Sequence, residues 1–583
     1  MHSGIELKDC FKTYTYDQEK ANFPRETIER VRARLKEIDL DILKETVRID
    51  TGRLGIPIYI SRCGSDAVQV IGTQKQMGKG GTPEQSEASA LMELVERFSF
   101  FSFIRERDFI IETYQNIKRQ AIPFESLALC FYDQSPDLEQ IQAVGETIPL
   151  AWVWAHNLTL KKDVLVPIDW FYLIHEYNGP SAGNTQEEAI LQGLCEVLER
   201  HVSSVISHDF LLTPSIDPGS VTDPAARELI EKFDRGGIKL FLKDFSLDTG
   251  IPTVGSLAYD PATFPEKSEI VFTAGTTPNP EKSLIRAVTE IAQLAGDFIN
   301  RTQYRPTLPK YQRLEEAQYV MANPKTVSIQ DLPNLSQDNI RLEIEACVQA
   351  LARVGLEVYL VNTTHPRLGI PAVYTIIPGA HFRDRTRHTG VLFHLSKLVS
   401  MIEDPGEAVR ELRKIHQVFP NRYEVNFFMG FALERNEQPQ EALVHLQQAL
   451  GQHPRDIDLS SIHCHIGVCL KDLERFEEAI ESLDKAKSYN DAQKEIYNVL
   501  GFCFFKTKKH HQAIEAFERA IEIDPGSGID YANIGSNLRE LGHIQEAIHC
   551  YRIALELDPT IDFARTNIER LSAQRETQLS VQK

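Results

Sequence analysis

Three helical segments carry carboxylates at spacings that place them on one helical face. In the segment 84–98, Glu93, Glu96 and Arg97 recur about one helical turn apart within an otherwise apolar run. Because the other faces are mostly small and apolar, we expect these helices to pack on several sides and to turn their polar faces inward. The same spacing recurs in two further segments. Segment 186–201 has Glu188, Gln192, Glu196, Glu199 and Arg200, and segment 283–293 has Arg286, Glu290 and Gln293.

Carboxylates that converge inside a protein repel one another and lose hydration, so they need cations nearby. Mg²⁺ prefers oxygen ligands and commonly joins carboxylates to the phosphates of a nucleotide. The interleaved Arg97, Arg200 and Arg286 suit the same phosphates. The pattern therefore predicts a Mg²⁺-nucleotide site, whereas a solvated surface face remains the alternative for any single helix.

Two glycine-containing segments lie next to these helices. The run 181–185 precedes the second helix and is predicted to offer backbone N–H groups to phosphate. The run 78–80, Gly-Lys-Gly, does not fit the G-x-x-x-x-G-K-[ST] pattern of a phosphate loop. We therefore predict an ordinary turn at 78–80.

The motifs resemble those of the YcaO family, ATP-dependent enzymes that activate peptide backbone amides. Three signatures, S-x3-E-x2-E-R, S-x6-E-x3-Q and R-x3-E-x2-Q, are matched in order, and the resemblance covers about residues 1–390. It implies ATP and Mg²⁺ as cofactors and assigns no catalytic residue. The implied ATP-binding residues are Lys20, Thr27, Ser89, Arg97, Ser181, Asn184, Gln192, Arg200 and Arg286. The implied metal ligands are Glu93, Glu96, Glu188, Glu196, Glu199 and Glu290.

The resemblance also bears on the product. In the family, the activated amide becomes a thioamide if sulfide attacks and an azoline if a side chain attacks. The chain ends in 577–583 without a proline-rich tail, and its segment 51–59 is similar to the thioamide-associated branch, so we expect thioamide formation and a sulfur-delivery partner protein. The alternatives are an azoline-forming cyclodehydratase, an accessory factor for ribosomal-protein methylthiolation, and a nucleotide-dependent interaction scaffold.

The elements that must position these residues indicate a mixed α/β (or α+β) domain over 1–390. Strand-like apolar runs at 68–71, 153–155 and 356–361 are interspersed with amphipathic helices. The Leu-Gly-Ile-Pro runs at 54–57 and 368–371 are predicted turns that lead into strands. The polar, proline-rich stretch 302–337 is predicted to be a surface excursion.

A repeat of about 34 residues organises the last third of the chain. Gly430, Gly467, Gly501 and Gly535 are spaced by 37, 34 and 34 residues, and an alanine follows each glycine twelve residues later. This pattern resembles the tetratricopeptide repeat, which implies an all-α solenoid over 391–574, with a degenerate first copy, a capping helix at 563–574 and a tail at 575–583. Its groove is expected to recruit a peptide or protein substrate or the sulfur-delivery partner, or else to pack on the enzyme or form a homo-oligomer.

Composition excludes several other classes. The 583 residues contain 63 Lys and Arg against 83 Asp and Glu, and the net charge of −20 disfavours nucleic acid as a partner. No apolar run approaches the roughly 18 residues that a membrane span needs. The 9 cysteines form no C-x-x-C pair, which argues against a disulfide framework and favours a cytoplasmic location.

Overall fold

Residues 4–106, 108–131, 133, 135–299, 308–382 and 389–581 are described by the computed structural model of the chain, without the side chains of 297 and 574–581. Contacts between Cα atoms separate two units, Met1–Val391 and Leu392–Lys583. None of the described helices combines the length and the apolar character that crossing a membrane requires.

The first unit mixes helices and strands, as the sequence predicts. Its strands are β1 Leu43–Arg48, β2 Ile58–Cys63, β3 Lys75–Lys79, β4 Ile110–Thr113, β5 Pro149–Asn157, β6 Lys162–Pro167, β7 Pro180–Ala182, β8 Ser215–Ile216, β9 Lys239–Asp244, β10 Thr253–Tyr259, β11 Val271–Thr276, β12 Thr326–Val327, β13 Tyr359–Asn362 and β14 Ala372–Ile376. Its helices are α1 Pro24–Glu37, α2 Ser65–Ile71, α3 Pro83–Glu106, α4 Tyr114–Ile117, α5 Phe124–Ala128, α6 Leu138–Gly145, α7 Ile168–His175, α8 Gln186–Asp209, α9 Pro224–Arg235, α10 Pro280–Ala295, α11 Gln318–Met321 and α12 Ile340–Arg353.

The strands form three sheets, and their described pairs are antiparallel except for β8 with β12. One sheet has the order β1-β2-β3, the second β11-β10-β9-β8-β12, and the third β4-β5-β13-β14-β7 with β6 beside β5. Helix α3 packs on β2, β3 and β7, α8 on β7 and β14, and α10 on β10 and β11. The three helices that carry the carboxylates therefore lie against all three sheets.

The strand prediction at 68–71 is wrong. These residues belong to α2, which begins after Gly64 and ends at Gly72, where φ is +78° and the backbone N–H donates to the Val68 carbonyl. Because the two glycines define both helix ends, the β-propensity of the valines is overridden. The run 153–155 does lie in β5, and β13 contains the second half of the run 356–361.

Both Leu-Gly-Ile-Pro turns are confirmed. Gly55 and Gly369 have φ values of +63° and +61°, which glycine adopts without steric cost. Strands β2 and β14 begin directly after the two prolines. The stretch 302–337 is more than a surface excursion, because β12 within it extends the second sheet, while 302–307 lies outside the described residues.

The second unit is helical. Its helices are α13 Val391–Ser400, which begins one residue before the boundary, α14 Pro405–Val418, α15 Tyr423–Arg435, α16 Pro439–Gly451, α17 Asp456–Asp472, α18 Phe476–Tyr489, α19 Lys494–Lys506, α20 His510–Ile523, α21 Gly528–Glu540, α22 Ile544–Leu557 and α23 Asp562–Val581. A Cβ added at Gly501 would come within 2.6 Å of the Phe517 ring, so the repeated glycine lets the two helices of a repeat meet closely. The last helix continues to Val581 rather than ending near 574.

His175, at the end of α7, is enclosed by aromatic rings. Its ring centroid lies 5.9 Å from that of Phe171, 5.9 Å from that of Tyr374 and 4.4 Å from that of Phe382. Neither ring nitrogen has a hydrogen-bond partner within the described part of the chain. Burial lowers the pKa of His175 to about 3.

We expect His175→Phe to reduce the acid sensitivity of the first unit. The unfolded histidine binds a proton below its ordinary pKa of 6.5, whereas the folded one stays neutral down to about 3. Because only the unfolded state binds this proton, the free energy of unfolding decreases as pH falls from about 6.5 towards 3. When the pH is lowered from 7.5 to 5, the free energy of unfolding measured with denaturant should fall by about 2 kcal/mol less in the variant than in the wild type. Equal losses in both proteins would contradict this assignment.

Candidate functional site

Five parts of the first unit meet around one cavity of about 320 Å³. They are the N-terminal segment with α1, strand β3, helix α3, the start of α8 with the residues before it, and α10. The lining residues are Gln18, Lys20, Asn22, Pro24, Thr27, Met77, Lys79, Gln85, Ala88, Ser89, Met92, Glu93, Glu96, Arg97, Ala182, Gly183, Asn184, Glu188, Gln192, Glu196, Arg200, Arg286, Glu290, Gln293 and Leu294.

All of the residues implied by the family motifs line this cavity except Ser181 and Glu199. The Ser181 hydroxyl is buried and donates to the Ala189 carbonyl at 2.7 Å. Glu199 is fully buried behind the wall, where one carboxylate oxygen accepts from the Thr276 N–H at 3.2 Å and from Arg286 Nε at 3.0 Å. The structure therefore gives Ser181 and Glu199 supporting positions rather than places on the cavity surface.

The segment before α8 is already hydrogen-bonded within the protein. The Gly183 N–H donates to the Pro371 carbonyl at 3.1 Å, and the Asn184 N–H donates to Glu188 Oε2 at 2.8 Å. The N–H groups predicted to hold phosphate are thus engaged at these two residues. Thr27 Oγ1 donates to Asn184 Oδ1 at 3.0 Å, which joins two of the implied ATP-binding residues.

The arginines of the cavity are held by neighbouring helices. Arg286 donates to Gln192 Oε1 at 2.9 Å as well as to Glu199, which ties α10 to α8. Arg97 lies 3.4 Å from Glu96 and donates to the Tyr177 carbonyl at 2.6 Å. Two guanidinium nitrogens of Arg200, Nε and Nη1, are buried and have no hydrogen-bond partner among the described residues. Nη1 lies 3.5 Å from Glu199 and Nη2 lies 3.6 Å from Glu290, so Arg200 is ion-paired on two sides while part of its hydrogen-bonding capacity is unused.

The carboxylates divide into two groups by their surroundings. Burial raises the pKa of Glu93 to about 6, and it raises that of Glu96 well above its ordinary value; the nearby Glu196 adds to both shifts. Burial acts in the same direction on Glu290, but Lys79 and then Arg200 lower its pKa to about 2. Positive charge thus compensates Glu93 and Glu96 less fully than it compensates Glu290.

The incomplete compensation of Glu93 and Glu96 favours binding of a divalent cation beside them. The carboxylate oxygens of Glu93, Glu96 and Glu196 suit Mg²⁺, and the guanidinium group of Arg200 suits the phosphates that accompany it. Among the described residues, no group of three or more Asp, Glu, His or Cys side chains is close enough to hold a metal ion by itself. Phosphate oxygens would therefore have to complete the coordination of a metal.

Lys79 is a cavity residue that sequence reasoning did not assign to the site. The predicted turn at 78–80 is wrong for its first two residues, because Gly78 and Lys79 end strand β3. Lys79 Nζ lies in the cavity, 2.5 Å from Glu290 Oε2 on α10. The available signal was the short run 75–79 ahead of a turn and a helix, but nothing in it indicates a partner that lies 211 residues away.

The chain is similar in sequence to several known proteins. Residues 77–381 match the family model described as YcaO cyclodehydratase, ATP- and Mg²⁺-binding. An uncharacterized protein of Methanothermobacter thermautotrophicus (strain Delta H) is 30% identical over 383 residues, which cover 61% of this chain and 93% of that protein. The ribosomal protein S12 methylthiotransferase accessory factor YcaO of Escherichia coli K12 is 28% identical over 244 residues, which cover 38% of this chain and 40% of that protein.

A solved heterocyclase in complex with substrate and cofactor shares the fold, with a TM-score of 0.52 and 24% identity over 64% of this chain and 54% of that one. Tetratricopeptide repeat models match residues 460–493, 495–527 and 531–561. The repeats predicted there are confirmed. The match to the YcaO family model, over residues 77–381, spans more than half of the sequence. The chain therefore belongs to the YcaO family of ATP- and Mg²⁺-binding proteins and carries tetratricopeptide repeats after the YcaO domain.

Proposed function

We propose that this chain uses ATP and Mg²⁺ to activate a backbone amide of a peptide or protein. The observation that carries the proposal is the meeting of α3, α8 and α10, whose carboxylates and arginines share one cavity. Phosphoryl transfer depends mainly on positioning and on neutralising charge, and a site of this composition performs both.

Each side chain then has a definable task. Glu93, Glu96 and Glu196 hold Mg²⁺, which when bound supplies positive charge beside the triphosphate. Arg200, which lines the cavity and has unused hydrogen-bonding capacity, would donate to phosphate oxygens. Glu199 acts from behind the wall, since its carboxylate holds Arg286, which lines the cavity, at 3.0 Å.

We expect Glu96→Gln to weaken binding of Mg²⁺-ATP by at least about tenfold, because it removes one negative charge from a carboxylate group that lacks cations. Isothermal titration with a non-hydrolysable ATP analogue, with and without Mg²⁺, measures the effect. Glu84→Gln is the matched control, since Glu84 is an exposed carboxylate in the first turn of the same helix. Equal affinity in the two variants would count against the assigned metal position.

We further propose that the product is a thioamide. After the amide oxygen takes the γ-phosphoryl group, external sulfide adds to the amide carbon and phosphate departs with the oxygen, so that oxygen is exchanged for sulfur. The segment 51–59, which is similar to the thioamide-associated branch, supports this outcome over ring closure.

Mass spectrometry separates the possible products. We expect a substrate treated with the chain, Mg²⁺-ATP and sulfide to gain about 16 Da, whereas azoline formation would remove about 18 Da as water. The substrate is found by comparing proteins from cells with and without the chain. A change confined to methylthiolation of a ribosomal protein would indicate an accessory factor. Release of no ADP under any condition would leave only the scaffold interpretation.

The repeats are proposed to recruit the substrate through an acidic segment. Phe502 on α19 is 40% exposed, and the ammonium groups of Lys471 and Lys506 lie 6.0 and 5.4 Å from its ring centroid. Lys506, Lys508 and Lys509 are exposed and form no ion pair among the described residues, although Asp472 pairs with Lys471. An exposed aromatic ring beside unpaired lysines favours a partner with carboxylates and an apolar side chain.

We expect the double variant Phe502→Ala and Lys506→Glu to bind the substrate protein more weakly, because it removes the exposed ring and reverses a charge. ATP hydrolysis without substrate should stay unchanged. Val444→Ala, an exposed apolar residue on α16, is the control for the loss of a surface side chain. Full modification of intact substrate at limiting concentration by the double variant would exclude this docking surface.

A further inference from the structure

Strand β3 delivers a lysine into the cavity because it lies directly against α3. A Cβ added at Gly78 would come within 2.1 Å of the Ala90 N and 2.2 Å of the Ser86 carbonyl oxygen, so no larger residue fits there. The Ser86 hydroxyl donates to the Gly78 carbonyl at 2.9 Å. Lys79, the next residue, therefore starts from a backbone that is fixed to the carboxylate-bearing helix.

Lys79 stands at one end of a chain of alternating charges. Its ammonium group lies 2.5 Å from Glu290 Oε2, and the other oxygen of Glu290 lies 3.6 Å from Arg200. Arg200 is in turn 3.5 Å from Glu199, which pairs with Arg286 at 3.0 Å. Each buried charge in this series has an opposite charge on at least one side, as enclosed ions require.

The remaining carboxylates are not compensated in this way. Glu93, Glu96 and Glu196 line the same cavity, and among the described residues the ion pair recorded for this group joins Arg97 to Glu96 at 3.4 Å. A divalent cation is therefore attracted first to this group, whereas at Glu290 it meets a carboxylate that already has a cation beside it. Lys79 thus makes the two sides of the cavity unequal towards metal.

We propose that Lys79 is a positioning residue that serves as the built-in counter-ion of Glu290: it orients this carboxylate without nucleotide and competes with a divalent cation for it. The inference rests on the proposed function, since it concerns the same metal site. Its consequence is that metal alone binds weakly, and that the triphosphate, which brings negative charge of its own, restores the attraction. Lys79 then favours entry of metal and nucleotide together.

The test uses Mn²⁺ as the probe and the full chain without nucleotide. We expect Lys79→Met to bind Mn²⁺ about tenfold more tightly than the wild type, because a positive charge close to the metal site is lost. Lys79→Arg, which keeps the charge, should bind like the wild type. Lys75→Met is the matched control, because Lys75 is exposed at the other end of the same strand. Free Mn²⁺ is measured by electron paramagnetic resonance.

A double-mutant cycle separates competition from a general structural effect. In a Glu290→Gln background, Lys79→Met should change Mn²⁺ affinity much less, since the carboxylate for which lysine and metal compete is gone. Circular dichroism identifies any variant that fails to fold, and Lys79→Gln replaces Lys79→Met in that case. Unchanged, weaker or unmeasurable Mn²⁺ binding by the folded Lys79→Met or Lys79→Gln variant would overturn the proposal.

The proposed function fails separately, because Mn²⁺ binding without nucleotide requires no ATP turnover and no substrate. Tighter Mn²⁺ binding by Lys79→Met in a chain that releases no ADP would support the counter-ion role and refute the enzyme activity. ADP release with unchanged Mn²⁺ affinity in the variant would do the reverse.

Discussion

A carboxylate taken out of water needs a cation within a few ångströms, and the first unit gathers six of them in and behind the wall of one cavity. The compensating contacts cross from element to element. Lys79 of β3 meets Glu290 of α10, and Arg286 of α10 meets Glu199 and Gln192 of α8. Because these contacts join different elements, neither α8 nor α10 can slide or rotate alone without breaking one of them. The electrostatics therefore determine the helix register as much as the apolar core does.

Glycines allow these helices to reach such positions. An added Cβ would come within 2.1 Å of α3 at Gly78, within 2.6 Å of the Ser181 hydroxyl at Gly193, and within 2.3 Å of the Ser283 carbonyl oxygen at Gly275. One such glycine thus lies at a close helix–sheet contact of each carboxylate-bearing helix. The distance between the helix axes, and with it the spacing of the carboxylates, depends on three residues that have no side chain.

Sequence periodicity was enough to predict the three helices and their inward polar faces, because residues one turn apart share a face whatever the tertiary context. It was also enough for the repeats, whose glycines recur at a fixed interval. It was not enough to place Ser181 and Glu199 behind the wall, since Ser181 lies on strand β7 and a small rotation of α8 decides whether Glu199 reaches the cavity. Lys79 could not be assigned from its own segment, because its role is defined by a carboxylate on a distant helix. The strand predicted at 68–71 failed because two flanking glycines determined a helix there.

The pairing of Lys79 with Glu290 joins residues 211 positions apart, whereas each helical hairpin of the repeats closes within a few tens of residues. These two kinds of contact differ in when they can form during synthesis. The cavity stays incomplete until α10 has left the ribosome, and until then Lys79 lacks Glu290 and Glu199 lacks Arg286. A repeat hairpin can instead form as soon as its own residues emerge. The first unit therefore completes its buried ion pairs later, relative to the start of its own synthesis, than a repeat hairpin completes its contacts.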